Sequence, residues 1–279
     1  MEPLLARTFP GTRITYDDTK PADLIFRSHF LHQEPPRAEN QRAPYILWSG
    51  ESYPSAPRPG RDAPLLEINT ATTGRDNEIW FPQLVAELTH TERPVDATAA
   101  VDKRWCMAFA FSHRVAERER LFWSMRIREP TCYGIGASCR TPDTPFVLPP
   151  AKRGENGRAF RDFGFVNAME NKVAPQYLTE KIGYAFLAGS VPIYWGDRAT
   201  VEDFFNPASF IQMSDFASPD AAGIHCVEVW KDRQKLQKYL DAPIVVNSRL
   251  ADYEAIRTDY RPWQKPFIDR LRETFPDLS

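Results

Sequence analysis

Cysteine and glycine are scarce in this chain of 279 residues, at 4 and 13 respectively, and long apolar runs are missing altogether. Cys106, Cys132, Cys139 and Cys226 form no C-x-x-C pair, which argues against a zinc knuckle or a disulfide scaffold and makes reduced thiols in a cytoplasmic protein the expectation. No stretch reaches the roughly 18 apolar residues that span a bilayer. The opening, MEPLLARTFPGTRITYDD, has an early proline and acidic residues in place of a basic run and an apolar segment, so secretion and membrane insertion are not expected. Charge of one sign is lacking too. With 35 Lys and Arg against 37 Asp and Glu, the net charge is −2, and no global field draws the chain to nucleic acid or anionic lipid. An anionic ligand has to be held by a local cluster. His29, His32, His90, His113 and His225 show no ligand spacing and no D-x-D pair occurs, so a preformed metal site is not expected. No internal repeat is evident, which removes solenoids and propellers.

What the chain does have is 25 prolines and 35 aromatics, on a background of 42% hydrophobic and 26% charged residues. That is a globular composition with rigid connections and large side chains for burial or for stacking on sugars. The length fits one large domain or two of ordinary size. Leu24-Ile25-Phe26, Tyr45-Ile46-Leu47-Trp48 and Ile79-Trp80-Phe81 read as strands, the last leading into Leu84 to Leu88, with a loop over Pro54 to Pro64. Thr91 to Asp102 loses periodicity and reads as a linker, which divides the chain into domains 1–100 and 101–279.

Beyond the linker, strands and helices alternate. Met107 to Phe111 reads as a buried strand and Ala116 to Ile127 as a helix with Leu121, Phe122 and Met125 on one face. Phe163 to Val166 reads as the next strand. Ile182, Ala185, Phe186 and Leu187 follow helical spacing, with Thr179 or a neighbour as N-cap and Gly189 as the stop. Val191 to Gly196 reads as a strand and turn, Phe210 to Met213 as a strand, and Lys235 to Leu240 and Leu250 to Ile256 as helices. Phe267 to Phe275 reads as an amphipathic helix, free to pack back across the linker onto the first domain. This alternation predicts parallel sheets, with a cleft at the carboxyl ends of the strands where two such domains meet.

The segment from Phe165 to Phe216 concentrates the chemistry. Glu180 and Lys181 fall in the first turn of a helix, where free N–H groups attract an anion and the lysine adds a full charge. In isolation a T-E-K tripeptide is an ordinary helix start. Here it stands in order with Phe165…Glu170-Asn171, Tyr177-Leu178-Thr179-Glu180-Lys181-Ile182, Gly189-Ser190-Val191-Pro192-Ile193-Tyr194-Trp195-Gly196, Pro207-Ala208-Ser209-Phe210-Ile211 and Asp215-Phe216. That ordered set resembles the donor-binding core of the α-1,3/4-fucosyltransferases, glycosyltransferase family 10.

The resemblance implies an α/β fold of the GT-B type, two Rossmann-like domains facing a cleft. The N-terminal one is shortened here and carries the catalytic base, and the C-terminal one binds GDP-fucose. Residue by residue, it implies Lys181 on the diphosphate, Glu180 on the ribose or fucosyl ring, and Glu170, Asn171, Tyr177 and Thr179 around the nucleotide. An arginine from the helix after the first strand of that half completes the phosphate clamp, and the spacing leaves Arg118 and Arg120 both open. The base corresponds to Glu51, in Trp48-Ser49-Gly50-Glu51-Ser52-Tyr53-Pro54; Gly50 allows a sharp turn there, and one residue more than in the family pattern separates Ser52 from Pro54. Tyr194-Trp195 reads as a buried strand end in preference to a sugar platform. No cofactor is implied, a divalent cation being at most stimulatory. The partners implied are GDP-fucose and a glycan acceptor with N-acetylglucosamine, not nucleic acid, with membrane association at most peripheral at the inner face. Family heptad repeats and paired cysteines are absent, which suits a bacterial-type soluble enzyme. A non-catalytic or divergent GDP-sugar or glycan-binding protein that retains the donor pocket is the alternative.

Overall fold

The computed structural model describes residues 13, 20–28, 43–51, 64–71, 74–81, 103–136, 138–148, 156–244, 261–274 and 276. The chain divides into two compact units, one of residues 1–82 with 259–279 and the other of residues 83–258. The boundary expected after residue 100 falls in the segment 82–102, outside the described residues, as do Leu84 to Leu88 and Leu250 to Ile256.

The first unit holds a four-stranded parallel sheet of β1 (Ile25–Ser28), β2 (Tyr45–Ser49), β3 (Leu66–Asn69) and β4 (Glu78–Trp80), in that order across the sheet. β3 is not anticipated from the sequence. Its LEIN run alternates apolar and polar residues, yet all four are buried, because strand side chains point alternately to opposite faces and here both faces are covered. Leu66 and Ile68 join Ile46 in the core with Leu271, which comes from the last helix of the chain. On the other face Glu67 lies in register with Glu78 of β4, two carboxylates side by side. Arg75 bridges them, its guanidinium donating to Glu67 Oε2 at 2.5 Å and to Glu78 Oε1 at 3.0 Å. Asn69 donates to the same two oxygens, at 3.3 and 2.9 Å.

The second unit is a five-stranded parallel sheet. β5 (Trp105–Ala110), β6 (Cys132–Ile135), β7 (Phe163–Met169), β8 (Val191–Trp195) and β9 (Ile211–Gln212) are arranged β6-β5-β7-β8-β9. Growth of the sheet therefore reverses between β5 and β7. The helices are α1 (Ala116–Arg128), the single turn α2 (Asn156–Ala159), α3 (Lys181–Leu187), α4 (Arg198–Phe204), α5 (Pro219–Lys231) and α6 (Arg233–Asp241), and α7 (Arg261–Thr274) belongs to the first unit. β6, α4 and α5 are additions to the sequence reading, and the strand expected over Phe210–Met213 shrinks to two residues flanked by 3-10 turns.

α1 buries Leu121, Phe122 and Met125 completely, the face that the spacing predicts, and packs on α5. α3 packs on β7 and β8. It ends where expected: Gly189 has φ +62°, its N–H bonds to the Phe186 carbonyl at 2.9 Å, and the Ser190 N–H bonds to the Ala185 carbonyl at 3.1 Å. This double closure needs a left-handed residue, which glycine adopts without strain. All four cysteines are free and buried. Burial raises the thiol pKa of Cys106 and Cys226, and that of Cys139 to about 11. Among the described residues no helix is long and apolar enough to cross a membrane.

Candidate functional site

Strand ends at a reversal of sheet order leave a crevice, because the crossovers on either side leave in opposite directions. In the second unit that place is the carboxyl end of β5 and β7. Glu170 follows β7 immediately, its N–H bonded to the Trp195 carbonyl at 2.8 Å, so the first residue past the strand is still held to β8. Its carboxylate is fully buried. Oε1 accepts from the Thr179 N–H at 2.8 Å and lies 2.9 Å from the Thr179 hydroxyl, while Oε2 lies 2.7 Å from that hydroxyl and 3.2 Å from Lys181 Nζ. Lys181 Nζ also donates to Thr179 Oγ1 at 2.8 Å, and Glu180 Oε1 lies 3.9 Å away.

Thr179 is therefore not the helix cap. Its hydroxyl is committed to Glu170, Glu180 occupies the cap position, and no side chain caps α3. With seven residues, α3 also contributes less of a terminal dipole than the sequence reading supposes, so positive charge here resides chiefly on side chains. The Lys181 side chain is 25% exposed and is the cation of this group that reaches the surface. Burial works against its charge, but Glu170 and then Glu180 outweigh it and hold the ammonium above its ordinary pKa.

Arg118 and Arg120 separate cleanly. Arg118 is buried, 1% exposed, and donates to the carbonyl of Met169, to Asn171 Oδ1 at 3.0 Å and to the carbonyl of His113 at 3.4 Å. It thereby ties α1 to the end of β7, across the β5/β7 reversal. Burial lowers its pKa, partly offset by Glu170 and Tyr177. Arg120 points elsewhere, exposed in a groove of about 530 Å³ with Trp123, Ile127 and Asp220, and does not join the cluster. The arrangement thus unites Arg118, Glu170, Asn171, Thr179 and Lys181, with Tyr177 and Glu180 beside them.

Four further residues lie against this cluster, Tyr194, Gly196, Asp197 and Gln176, and the sequence assigns none of them a role on the nucleotide. Tyr194 is fully buried as a strand end, and its hydroxyl has no hydrogen-bond partner among the described residues. Burial, then Glu170, Asp197 and Tyr177, raise its pKa well above the ordinary tyrosine value. Gly196 leaves room for it: a Cβ there would lie 2.3 Å from the Tyr194 hydroxyl and 3.0 Å from Glu170 Cγ. Asp197 accepts from the Gln176 N–H at 2.9 Å and from the Thr200 hydroxyl at 2.5 Å, pinning Gln176 at φ +62° in the loop that presents Tyr177. A non-glycine residue in that conformation is uncommon and strained. No sequence signal marks Gln176, whereas Gly196 stands in the motif.

Glu51 lies in the first unit, two residues beyond the end of β2, half-buried, with its N–H donating to Ser49 Oγ at 3.3 Å. Its neighbours from Ser52 to Ala63 are outside the described residues.

The profile of glycosyltransferase family 10 (fucosyltransferase), C-terminal part, matches residues 103–256. The chain belongs to that family. A sequence likeness of 34% over 107 residues links it to an alpha-(1,4)-fucosyltransferase of Arabidopsis thaliana, covering 38% of this chain and 21% of the plant protein. Another, of 37% over 78 residues, links it to 4-galactosyl-N-acetylglucosaminide 3-alpha-L-fucosyltransferase 9 of Mus musculus, covering 28% of this chain and 22% of the mouse protein. The matched region is therefore only about a fifth of each relative's length. In fold, the chain is similar to the crystal structure of an alpha1,3-fucosyltransferase with GDP, at a TM-score of 0.60 and 18% identity over 88% of this chain and 81% of that one. The same holds for an alpha1,3-fucosyltransferase with GDP-fucose, at a TM-score of 0.58 and 18% identity over 88% of this chain and 79% of that one. This family-10 chain thus has the α/β fold of GT-B type that its motifs imply, and the matched region contains the whole cluster around Glu170 and Lys181.

Proposed function

We propose that the protein transfers fucose from GDP-fucose to a hydroxyl group of a glycan acceptor, with inversion at the anomeric carbon. One observation carries the reading: Arg118, bonded to Asn171, and Lys181, paired with Glu170, set two cations on the adjacent residues that follow β7, in the unit that carries the family's motifs. In this reading Lys181, the cation that reaches the surface, binds the diphosphate. Arg118 braces Asn171 and adds its field from behind. Tyr177 and Asn171 line the nucleotide, and Glu180, whose Oε2 has no hydrogen-bond partner among the described residues, accepts from sugar or ribose hydroxyls.

The reaction needs two kinds of group. As the acceptor oxygen forms its bond to the anomeric carbon, its proton passes to a carboxylate, and Glu51 is that base. As the bond from that carbon to the diphosphate oxygen breaks on the opposite face, negative charge grows on the departing GDP. Lys181 and Arg118 stabilise it without moving. These side chains supply the positive charge, so we include no cofactor, and a divalent cation would at most stimulate. The acceptor class, a chain containing N-acetylglucosamine with fucose added in α-1,3 or α-1,4 linkage, follows the names of the relatives.

The test pairs binding with turnover. The parent should bind GDP more tightly than UDP and should release GDP from GDP-fucose in the presence of an N-acetyllactosamine acceptor. Glu51→Gln should bind GDP as the parent does and lose transfer by roughly 10²- to 10⁴-fold, the usual contribution of a general base. Unchanged turnover in that variant would remove Glu51 from the mechanism, and GDP binding without any transfer by the parent would leave only a sugar-nucleotide-binding protein.

A further inference from the structure

Among the residues the family signature assigns to the nucleotide pocket, Glu170 is badly placed to touch a nucleotide. It is 0% exposed, and both of its oxygens are occupied by Thr179 and Lys181. The connection has a direction. Lys181 Nζ, an obligate donor, gives a hydrogen to Thr179 Oγ1, and the hydroxyl then has its own proton free to give to Glu170. Lysine, threonine and glutamate form a relay of one donor sense, anchored at the Glu170 end by the backbone bond to Trp195. Behind the carboxylate the absence of a side chain at Gly196 gives it the space to lie there.

A buried carboxylate is tolerated only with a cation close by. Here Lys181 is in contact, with Arg118 acting on Glu170 at longer range. Glu170 and Glu180 balance Lys181 and Arg118, and Asp197 adds a further negative charge close by, so the group carries no surplus of positive charge. A diphosphate arriving at Lys181 must then share an ammonium whose hydrogen bonds already run inward. We infer that Glu170 is a positioning residue that never contacts the nucleotide. It aims Lys181 through Thr179 and, by its negative charge, competes with the bound diphosphate and holds down the affinity for it. In a transferase such competition has a use, because the GDP product has to leave before the next turnover.

The inference rests on the functional reading above, and the experiment separates the two. GDP and guanosine are titrated calorimetrically into the full chain, into Glu170→Gln, into Thr179→Val and into Thr179→Ser. Glu170→Gln keeps the shape and removes the charge, so GDP should bind on the order of tenfold more tightly, the effect of one unit charge roughly 6–8 Å away in a half-shielded site. Guanosine affinity should not change. The GDP gain should shrink with added salt, and kcat and KM should fall together as product release slows. Thr179→Val has the opposite sign: it breaks the relay, leaves the carboxylate less neutralised, and should weaken GDP several-fold, with Thr179→Ser restoring parental binding. This second pair keeps the inference testable should Glu170→Gln fold poorly. The inference is overturned if Glu170→Gln weakens GDP and guanosine alike, as a direct contact or a purely structural role requires, or if Thr179→Val binds GDP as well as Thr179→Ser. A parent that shows no preference for GDP over guanosine takes the functional reading down as well.

Discussion

Gly196 closes the V-P-I-Y-W-G motif, and its packing gives the clearest reason for that glycine. A Cβ at this position would lie 2.3 Å from Tyr194 Oη, 2.7 Å from Tyr194 Cζ and 3.0 Å from Glu170 Cγ. Comfortable carbon contacts are about 3.5–4.0 Å, so Gly196→Ala has to push the tyrosine tip by roughly 1 Å. The ring cannot swing out, being fully buried and edge-on to Phe210 at 6.1 Å and 79°. Overpacking of this kind costs about 1–3 kcal/mol. No hydrogen bond is given up, because the Tyr194 hydroxyl has no partner among the described residues. Tyr194→Phe alone should then be neutral or stabilising, and in the Gly196→Ala background it should recover part of the loss by removing the atom at 2.3 Å. The contact to Cζ remains, so recovery stays incomplete. The assay is a four-way urea denaturation cycle read alongside GDP titration, with a coupling energy of about 0.5 kcal/mol or more expected between the two substitutions. GDP affinity should fall in Gly196→Ala, because Glu170, and Lys181 with it, is displaced. Additive stabilities, or an alanine variant with parental stability and GDP affinity, would refute the steric account.

Two further predictions concern charges away from the nucleotide. Arg75→Met takes away the guanidinium that bridges Glu67 and Glu78, whose side chains are 3% and 2% exposed. The loss should be about 1–3 kcal/mol in urea denaturation, less than for a fully buried pair because the Arg75 side chain is 36% exposed and screened by water, and Glu67→Gln in that background should restore part of it; a midpoint equal to the parent's would show that the bridge contributes nothing. Lys103 donates to the carbonyls of Arg161 and Ala188, and burial lowers its pKa to about 8 from 10.5. Since the folded chain then releases this proton more readily than the unfolded chain, stability from this group rises with pH across the window from about 8 to 10.5, by up to about 3 kcal/mol; Lys103→Met should lack that rise in urea midpoints compared at about pH 7.5 and about 9.5, and identical slopes would contradict it.

How far the sequence reveals these features depends on whether a residue's reason is local. Gly189 is legible because a helix end needs a left-handed residue at that one position. The face of α1 is legible from the spacing of Leu121, Phe122 and Met125, and the same spacing contains a decision about the arginine. Arg118 stands three and four residues before Leu121 and Phe122, on the buried stripe, whereas Arg120 lies off it. A charge on an apolar stripe has to be solvated by the protein, and here backbone carbonyls and Asn171 do so. α5 begins at Ser218-Pro219, a start signal in which the serine hydroxyl accepts from the Ala221 N–H at 3.1 Å. Its interior defeats a one-face pattern, because the small residues Ala222 and Gly223 are buried along with Cys226 and Val227. β3 is illegible for a different reason. Glu67 and Asn69 read as solvent-facing until Arg75, Asn77 and Glu78 come back over them, and that return is not written in any local pattern. Gln176 is the same case, since its backbone is held by Asp197, 21 residues away.

The length of the motif region follows from the chemistry of burying charge. Glu170 is set by the end of β7, Thr179 and Lys181 by the start of α3, Gly196 by the end of β8, and the strand–crossover–strand geometry fixes the intervals between them. None of these residues is tolerable at its place without the others. Without Lys181 the buried carboxylate loses the cation in contact with it; without Glu170 the Thr179 N–H loses its acceptor; with a side chain at 196 the space for Glu170 is lost. A stretch of some fifty residues therefore behaves as one unit, which is why scattered short matches in correct order identify the site where a T-E-K tripeptide alone does not. Arg120, exposed two residues beyond Arg118 on the same helix, stands outside this interdependence.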